Sequence, residues 1–134
     1  MRKDESKKTY TGINIQYPIS QVILSGEKTV ETRTYPIPKK YVGQEMLLIE
    51  TGGKVSKFKA RAVAVIRFGE SFKYQSESDF YDDFKRHRVD SESPWAWDLS
   101  RGKWGWPVEV IRILSNPTIP KKRLGIKFTC GLEI

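Results

Sequence analysis

Alternation of apolar and polar residues along several short segments is the feature that most limits what this chain can fold into. Successive side chains of a β-strand point to opposite faces of a sheet, so a period of two predicts a strand. In the longest example, apolar residues occupy every second position: Phe58, Ala60, Ala62, Ala64 and Ile66. Other segments also have the composition of strands: 13–17, 46–51, 108–114 and 126–130. The chain is therefore expected to be rich in β structure.

Helical patterns and turn residues separate these segments. Pro18 is suited to the first turn of a helix, and Gly26 is suited to its end. Apolar residues between them share one helical face: Ile19, Val22 and Ile23. A second helix, capped by Ser76 or Ser78, is predicted around residues 80–88, with His87 as a partly covered structural residue. About six or seven strands with two or three flanking helices predict a mixed α/β, mainly β fold, with the strands forming a small β-barrel.

The tryptophans lie close together in the second half of the chain. They form two pairs with a spacing of two: Trp95 with Trp97, and Trp104 with Trp106. This spacing predicts a hairpin that presents an aromatic ladder. Unstacked bases of nucleic acid can stack on such rings, and Arg101 and Lys103 would supply positive charge beside them. Filling of the core is the alternative role for each tryptophan.

The length of 134 residues suits a single domain. Residues 1–12 contain many charges and few apolar side chains, so we expect a flexible charged arm there and a single domain over residues 13–134. One cysteine and one histidine supply neither a disulfide framework nor a structural zinc site, and we expect no metal and no cofactor. No apolar run approaches the roughly 20 residues that span a bilayer, which predicts an intracellular, cytoplasmic protein without membrane contact. We expect a monomer.

The charge balance favours polyanions as partners. Lysine and arginine together number 24 and aspartate and glutamate 16, which gives a formal net charge of +8. A basic excess of this size favours association with nucleic acid. RNA is the nucleic acid we expect, with DNA as a further option. An enzyme with a basic surface is the alternative that charge alone leaves open.

Residues 25–35 concentrate the chemistry of this chain. If residues 28–35 form a strand, one face carries four of the side chains: Thr29, Glu31, Arg33 and Tyr35. A carboxylate and a guanidinium then lie about 7 Å apart along the strand, and Lys28 adds a second cation to the stretch. A rim ion pair is one interpretation of this cluster. Recognition of a base or phosphate is another, and acid–base catalysis is a third.

This stretch resembles a known motif. Residues 26–33, GEKTVETR, are similar to the G-x-K-T-x-E-x-R signature of the ASCH domain, a PUA-like β-barrel family, and residues 17–24 resemble that family's first helix. The resemblance implies a PUA-like barrel with a cleft between the first helix and the barrel. In that cleft Lys28, Glu31 and Arg33 would converge on RNA, a nucleotide or a modified nucleoside. The candidate nucleic-acid-binding residues are Lys28, Thr29, Glu31, Arg33, Tyr35, Lys39, Lys40, Arg101, Lys103, Trp104, Trp106, Lys121, Lys122 and Arg123.

The same resemblance implies two kinds of hydrolase as alternatives, a single-strand ribonuclease and an amidohydrolase acting on N4-acetylcytidine. In the amidohydrolase branch, the lysine of the motif activates a threonine three positions later, together with a glutamate from elsewhere in the chain. Lys28 occupies the lysine position here, and Glu31 stands three residues after it. If the protein is an enzyme, Lys28 as general base and Glu31 as acid, base or orienting group are the catalytic candidates. A protein-interaction module in an RNA-associated assembly is the remaining alternative.

Overall fold

The structure is a computed structural model that describes residues 8–53 and 57–134. In chain order the elements are β1 (Thr9–Gln16), α1 (Ile19–Leu24), β2 (Val30–Arg33), a 3-10 helix (Lys39–Tyr41), β3 (Glu45–Thr51), β4 (Arg61–Phe68), β5 (Phe72–Lys73), α2 (Glu77–Asp82), α3 (Phe84–His87), β6 (Trp104–Thr118) and β7 (Phe128–Glu133). The strands and short helices of these described ranges confirm the predicted mixed α/β, mainly β fold. None of these helices is long and apolar enough to cross a membrane.

The strands belong to one hydrogen-bonded sheet. Neighbouring strands follow the order β2-β6-β4-β3-β1-β7, and β5 pairs with β6. β1 runs parallel to β3 and antiparallel to β7, and β2 runs antiparallel to β6. Closing a barrel requires the two edge strands to pair with each other. Among the described pairings, β2 pairs with β6 and β7 pairs with β1, but β2 and β7 do not pair with each other. The sheet is therefore open, whereas the sequence predicts a small barrel.

β1 begins earlier than the sequence predicts. Its register with β7 pairs Thr9 with Glu133 and Tyr10 with Leu132, so residues 9–12 belong to the sheet and not to a flexible arm. Tyr10 is buried. The polar composition of these residues does not predict a strand. They are held in the sheet by backbone pairing with β7 and by burial of one aromatic ring. Residues 1–7 of the predicted arm lie outside the described residues.

The described chain divides into two compact units. The first unit contains residues 8–21, 45–53, 57–66 and 110–134. Its core cluster consists of Tyr10, Leu47, Ile49, Ala62, Val65 and Leu132. Residues 62–66 of β4 are buried without interruption, so both faces of this part of the strand are covered. Val63 and Val65, which interrupt the cations of the second face, had already indicated that part of that face is covered.

The second unit contains Val22–Gln44 and Arg67–Glu109. Its core cluster consists of Tyr74, Phe80 and Val89, with Phe72, Tyr81 and Trp97 packed against it. Ser76 caps α2 by accepting a hydrogen bond from the Asp79 amide at 3.0 Å, which confirms one of the two predicted caps. His87, at the end of α3, is fully buried, whereas the sequence predicted a partly covered residue.

The tryptophan segment does not form the predicted hairpin. Trp95 and Trp97 lie in irregular structure, whereas Trp104 and Trp106 open the long strand β6. Trp97 packs against the core cluster of the second unit. Gly102 takes a φ of 70° shortly before β6, a conformation that suits glycine. Packing of Trp97 in the core therefore determines the structure of this segment, and the spacing of two between tryptophans does not.

Candidate functional site

Strand β2 carries the charged motif in the second unit. It pairs with β6 so that Glu31 lies opposite Trp106 and Arg33 lies opposite Trp104. The sequence predicts a strand over residues 28–35, but β2 covers only Val30–Arg33. Lys28 therefore precedes the strand. The alternation of faces that would separate Lys28 from Glu31 does not apply to it.

Glu31 lies between two cations. Its Oε2 accepts a hydrogen bond from Arg33 Nε at 3.0 Å, and Arg33 Nη2 lies 3.0 Å from the same oxygen. Its Oε1 lies 3.7 Å from Lys28 Nζ. Only 4% of the Lys28 side chain and 9% of the Glu31 side chain are exposed. The three charged side chains thus contact one another in a buried position instead of on a rim, and their convergence on a ligand stays a prediction.

Lys28 is held by the end of helix α3. Its Nζ donates a hydrogen bond to the carbonyl oxygen of His87 at 2.5 Å. The His87 ring is fixed in turn, because Nδ1 accepts from the Val89 amide at 3.0 Å and Nε2 then donates to the carbonyl of Phe80 at 2.5 Å. Burial lowers the pKa of His87 and keeps this ring neutral. Burial also lowers the pKa of Lys28, against the opposing effect of the Glu31 carboxylate.

Arg33 is supported by aromatic residues. Its Nη1 donates to the Tyr35 hydroxyl at 3.3 Å, and its guanidinium lies 5.5 Å from the centre of the Trp106 ring. Burial disfavours the charged form, but the charges of Glu31 and Tyr35 and the hydrogen bonds to both together outweigh burial and raise the pKa of Arg33. Trp106 is 0% exposed and donates from Nε1 to the Tyr35 carbonyl at 3.0 Å. The prediction that Trp106 stacks on a base is wrong, because a fully buried ring has no face to offer.

Lys103 lies just before β6 and is 5% exposed. Within the part of the chain that the structure describes, its ammonium makes no hydrogen bond and no ion pair. Burial lowers the pKa of Lys103, while the negative charges of Asp98 and Glu31 oppose that effect. Its Nζ is not among the fully buried unbonded atoms of the described residues, so the stem of Lys103 is covered while its ammonium keeps contact with solvent.

The other predicted residues of the second unit lie outside these contacts. Thr29 is exposed, and its backbone amide donates to the Arg86 carbonyl at 2.8 Å. Arg101 is exposed and bonds to Asp98 at 3.0 Å. Trp104 is partly buried, and Lys39 and Lys40 are exposed on the 3-10 helix. Their predicted roles in binding stay predictions.

A predicted basic run belongs to the first unit. Lys121, Lys122 and Arg123 are exposed there, and Lys122 Nζ donates to the Cys130 carbonyl at 2.5 Å. Their exposure leaves them accessible to a phosphate backbone. A binding groove that they share with the Lys28 cluster stays a prediction.

Sequence reasoning missed a buried charge cluster in the first unit. Glu50 is 0% exposed and accepts hydrogen bonds on Oε2 from Ser20 Oγ and Gln21 Nε2, both at 2.6 Å. Its Oε1 accepts from Arg61 Nε and Nη2 at 3.0 and 2.9 Å. The available signal was a glutamate that directly follows a run of apolar residues in a predicted strand. Because all four donors are protein groups, this carboxylate is satisfied internally.

A cavity of about 300 Å³ lies elsewhere in the second unit. Phe68, Pro107 and Val108 contribute to its apolar lining, and Arg67 and Glu109 add an exposed ion pair with a separation of 3.1 Å. None of the predicted site residues lines it. The predicted cleft beside Lys28 stays a prediction.

Comparisons with known proteins do not decide the family. No protein-family model matches the chain, and no curated protein matches it either. The ASCH resemblance therefore rests on the motif in residues 26–33 and on the helix before it. Among residues 8–53 and 57–134, no group of three or more His, Cys, Asp and Glu side chains is arranged to hold a metal ion.

Proposed function

We propose that this protein binds RNA or a nucleotide through the Lys28–Glu31–Arg33 cluster of the second unit, as a member of the ASCH family. The observation that carries this proposal is the buried convergence of two cations on the Glu31 carboxylate. Lys103 contributes further positive charge, because it lies close enough for the charges of Glu31 and Lys28 to affect its pKa. Positive charge therefore exceeds negative charge in a region that is largely withdrawn from water.

Stability alone does not account for such a cluster. Buried ion pairs contribute little to stability compared with apolar side chains of the same volume, because each charge must lose its hydration. Departures from the rules of good packing concentrate at functional sites. The excess of positive charge and the polar groups around it fit an anionic, planar ligand such as a nucleotide.

The cluster offers complementary groups to a base. Glu31 Oε1 is 3.7 Å from Lys28 Nζ, so it has room to accept a further hydrogen bond, for example from an exocyclic amino group. Arg33 provides donors next to it, and exposed Lys39 and Lys40 provide charge for phosphates. The net charge of +8 adds long-range attraction for RNA that salt weakens.

Fluorescence anisotropy with a labelled single-stranded RNA of about ten nucleotides tests this function. The double variant Glu31→Gln/Arg33→Gln removes the ion pair and leaves the net charge unchanged. A matched control is Arg67→Gln/Glu109→Gln, which removes the exposed ion pair of the same unit. We expect affinity to fall about tenfold or more in the first variant, a loss of about 1.4 kcal/mol, and to stay at the wild-type value in the control.

Salt provides an independent readout. For single-stranded RNA, the slope of log affinity against log salt is about −0.7 for each phosphate that is neutralised. We expect a clearly negative slope for the wild-type protein. A flat salt response, or equal binding by both double variants, contradicts RNA binding at this cluster.

Hydrolysis is a second candidate function, favoured by the environment of Lys28. Its lowered pKa and its position 3.7 Å from the Glu31 carboxylate suit an amine that accepts a proton from water. Since Glu31 carries no hydroxyl, water is the nucleophile in this proposal. Lys28 takes a proton from the water, the oxygen bonds to the amide carbon or the phosphorus, and the C–N or P–O bond breaks as Lys28 returns the proton to the leaving amine or sugar oxygen. Incubation with N4-acetylcytidine and with short single-stranded RNA tests it. We expect product from the wild-type protein and none from Lys28→Met. Equal product from a folded Lys28→Met variant contradicts catalysis by Lys28.

A further inference from the structure

Lys103 combines deep burial with the lack of a bonded partner. Of the buried lysines in the described residues, Lys28 bonds to the His87 carbonyl, whereas the Lys103 ammonium makes no hydrogen bond or ion pair there. The stem of Lys103 is covered, but its Nζ is not among the fully buried unbonded atoms of the described residues. The ammonium therefore keeps contact with solvent, where an anion from outside the chain can reach it.

Asp98 and Glu31, the two carboxylates whose charge affects the pKa of Lys103, are already hydrogen-bonded to other groups. Asp98 Oδ1 accepts from the amides of Ser100 and Arg101 at 2.9 and 2.8 Å, and its Oδ2 lies 3.0 Å from Arg101 Nη2. Glu31 Oε2 is bonded to Arg33. Neither acid forms an ion pair with Lys103 in the described residues, so its ammonium can take an anion from outside the chain.

We infer that Lys103 anchors a phosphate group, so that the ligand of this site is a phosphorylated nucleotide and not a free nucleoside. This inference rests on the proposed function, in which the neighbouring Lys28–Glu31–Arg33 cluster receives the rest of the nucleotide. A lysine ammonium is a compact point charge, and phosphate oxygens are among its preferred acceptors. The neutralisation of Glu31 by Arg33 and Lys28 limits the repulsion that a phosphate would meet there.

The charges around Lys103 make the inference dependent on pH. Burial lowers the pKa of Lys103, Asp98 and Glu31 act to raise it, and Lys28 and Arg101 act to lower it. Only the protonated amine attracts phosphate. Affinity for a phosphorylated ligand should therefore fall as the pH rises through the lowered pKa of Lys103, at values where an exposed lysine is still charged. An arginine at this position should keep its charge throughout.

Isothermal titration calorimetry with cytidine 5′-monophosphate, cytidine and inorganic phosphate tests the assignment between pH 7 and 10. The variants are Lys103→Gln and Lys103→Arg, and the matched control is Lys73→Gln, an exposed lysine of the same unit. We expect the monophosphate to bind about tenfold or more tightly than cytidine, equivalent to about 1.4 kcal/mol. Lys103→Gln should lose this preference, Lys73→Gln should keep it, and Lys103→Arg should keep it at high pH.

The possible outcomes separate this inference from the proposed function. Equal binding of cytidine and its monophosphate, or a preserved preference in folded Lys103→Gln, overturns the phosphate anchor and leaves nucleoside recognition standing. Binding of phosphate that depends on Lys103, without binding of cytidine, its monophosphate or RNA, supports the anchor and overturns the proposed function. Absence of binding for all three ligands overturns the anchor, and RNA binding then decides the proposed function by itself. Circular dichroism of each variant establishes that it is folded, and Lys103→Met replaces Lys103→Gln if that variant fails to fold.

Discussion

Glu50 and Arg61 form a buried ion pair in which one carboxylate oxygen accepts two hydrogen bonds, from Nε at 3.0 Å and from Nη2 at 2.9 Å. Glu50 lies on β3 and is 0% exposed, whereas 35% of the Arg61 side chain is exposed. The guanidinium also lies 4.2 Å from the centre of the Phe58 ring. The charge of Glu50 is therefore satisfied by a residue that itself retains contact with water.

Removal of Arg61 should destabilise the protein. Arg61→Met leaves the buried Glu50 carboxylate without its cation, and breaking a buried pair in this way costs about 3–5 kcal/mol. We expect about 3 kcal/mol, the lower end, because Arg61 is partly exposed. Urea denaturation measures this change. The double variant Glu50→Gln/Arg61→Met should recover part of the loss, and Arg67→Met, in the exposed pair, should cost less than about 1 kcal/mol. Equal effects of the two single variants would contradict the structural assignment.

Acid should remove the stabilisation that Glu50 provides. Burial alone would raise the pKa of Glu50, but hydrogen bonds from Ser20, Gln21 and Arg61 outweigh burial and lower it. A carboxyl group whose pKa is lower in the folded than in the unfolded state stabilises the fold above the unfolded pKa. That contribution is lost as the pH falls below about 4 and through the lowered value. Thermal melts between pH 2 and 7 should show a weaker pH dependence for Glu50→Gln than for the wild-type protein. Parallel curves would refute this account.

Replacement of Lys103 by an apolar residue should stabilise the protein. Lys103→Met removes an ammonium whose charged form is disfavoured by burial and that makes no ion pair in the described residues, and we expect the free energy of unfolding to rise by less than about 1 kcal/mol at pH 7. A lysine whose pKa is lower in the folded state opposes folding while it is charged, and this effect fades as the pH approaches the unfolded value of about 10.4. The difference between variant and wild type should therefore shrink at high pH. Denaturation at pH 7 and pH 10 measures it, and a loss of stability in Lys103→Met would show that the ammonium has a partner.

Two tryptophans should differ sharply in their contribution to stability. Trp106→Ala removes a fully buried ring and its hydrogen bond to Tyr35, with an expected loss of about 3–5 kcal/mol. Trp95 is 41% exposed, so Trp95→Ala should cost less than about 1 kcal/mol. Chemical denaturation followed by circular dichroism measures both. If Trp106→Ala were as stable as the wild-type protein, the assignment of this ring to the core would be wrong.

Gly12 tests whether the N-terminal strand belongs to the sheet. A Cβ atom added at this position would lie 2.8 Å from Leu132 Cδ1 and 2.9 Å from Ile49 Cγ1. Overpacking of this kind costs about 1–3 kcal/mol. Gly12→Ala should therefore lower the midpoint of thermal unfolding, whereas the same change in a flexible arm would have no effect. Gly43→Ala is a useful comparison, because no atom lies within 4 Å of a Cβ there and any cost comes from its φ of 76° alone.

Local patterns predicted the features that depend on neighbouring residues. The alternation in residues 58–66 predicted a strand, and β4 covers Arg61–Phe68. The cap at Ser76 was predicted from side-chain chemistry that acts over three residues. The same reasoning failed for residues 9–12, which are ordered by pairing with β7 at the other end of the chain. It also failed for Trp97, which packs against the core of the second unit.

By itself, the sequence determined the mainly β character of this protein, its basic charge and the short motif that brings Lys28, Glu31 and Arg33 near one another. Only the tertiary structure decided which of these charges are buried and what they contact. Lys28 bonds to the carbonyl of His87, a residue 59 positions away, and the stem of Lys103 is covered while its ammonium makes no hydrogen bond or ion pair in the described part of the chain. Burial is created by residues distant in the chain, and the free energy of a charge depends on that burial more than on its neighbours in the sequence.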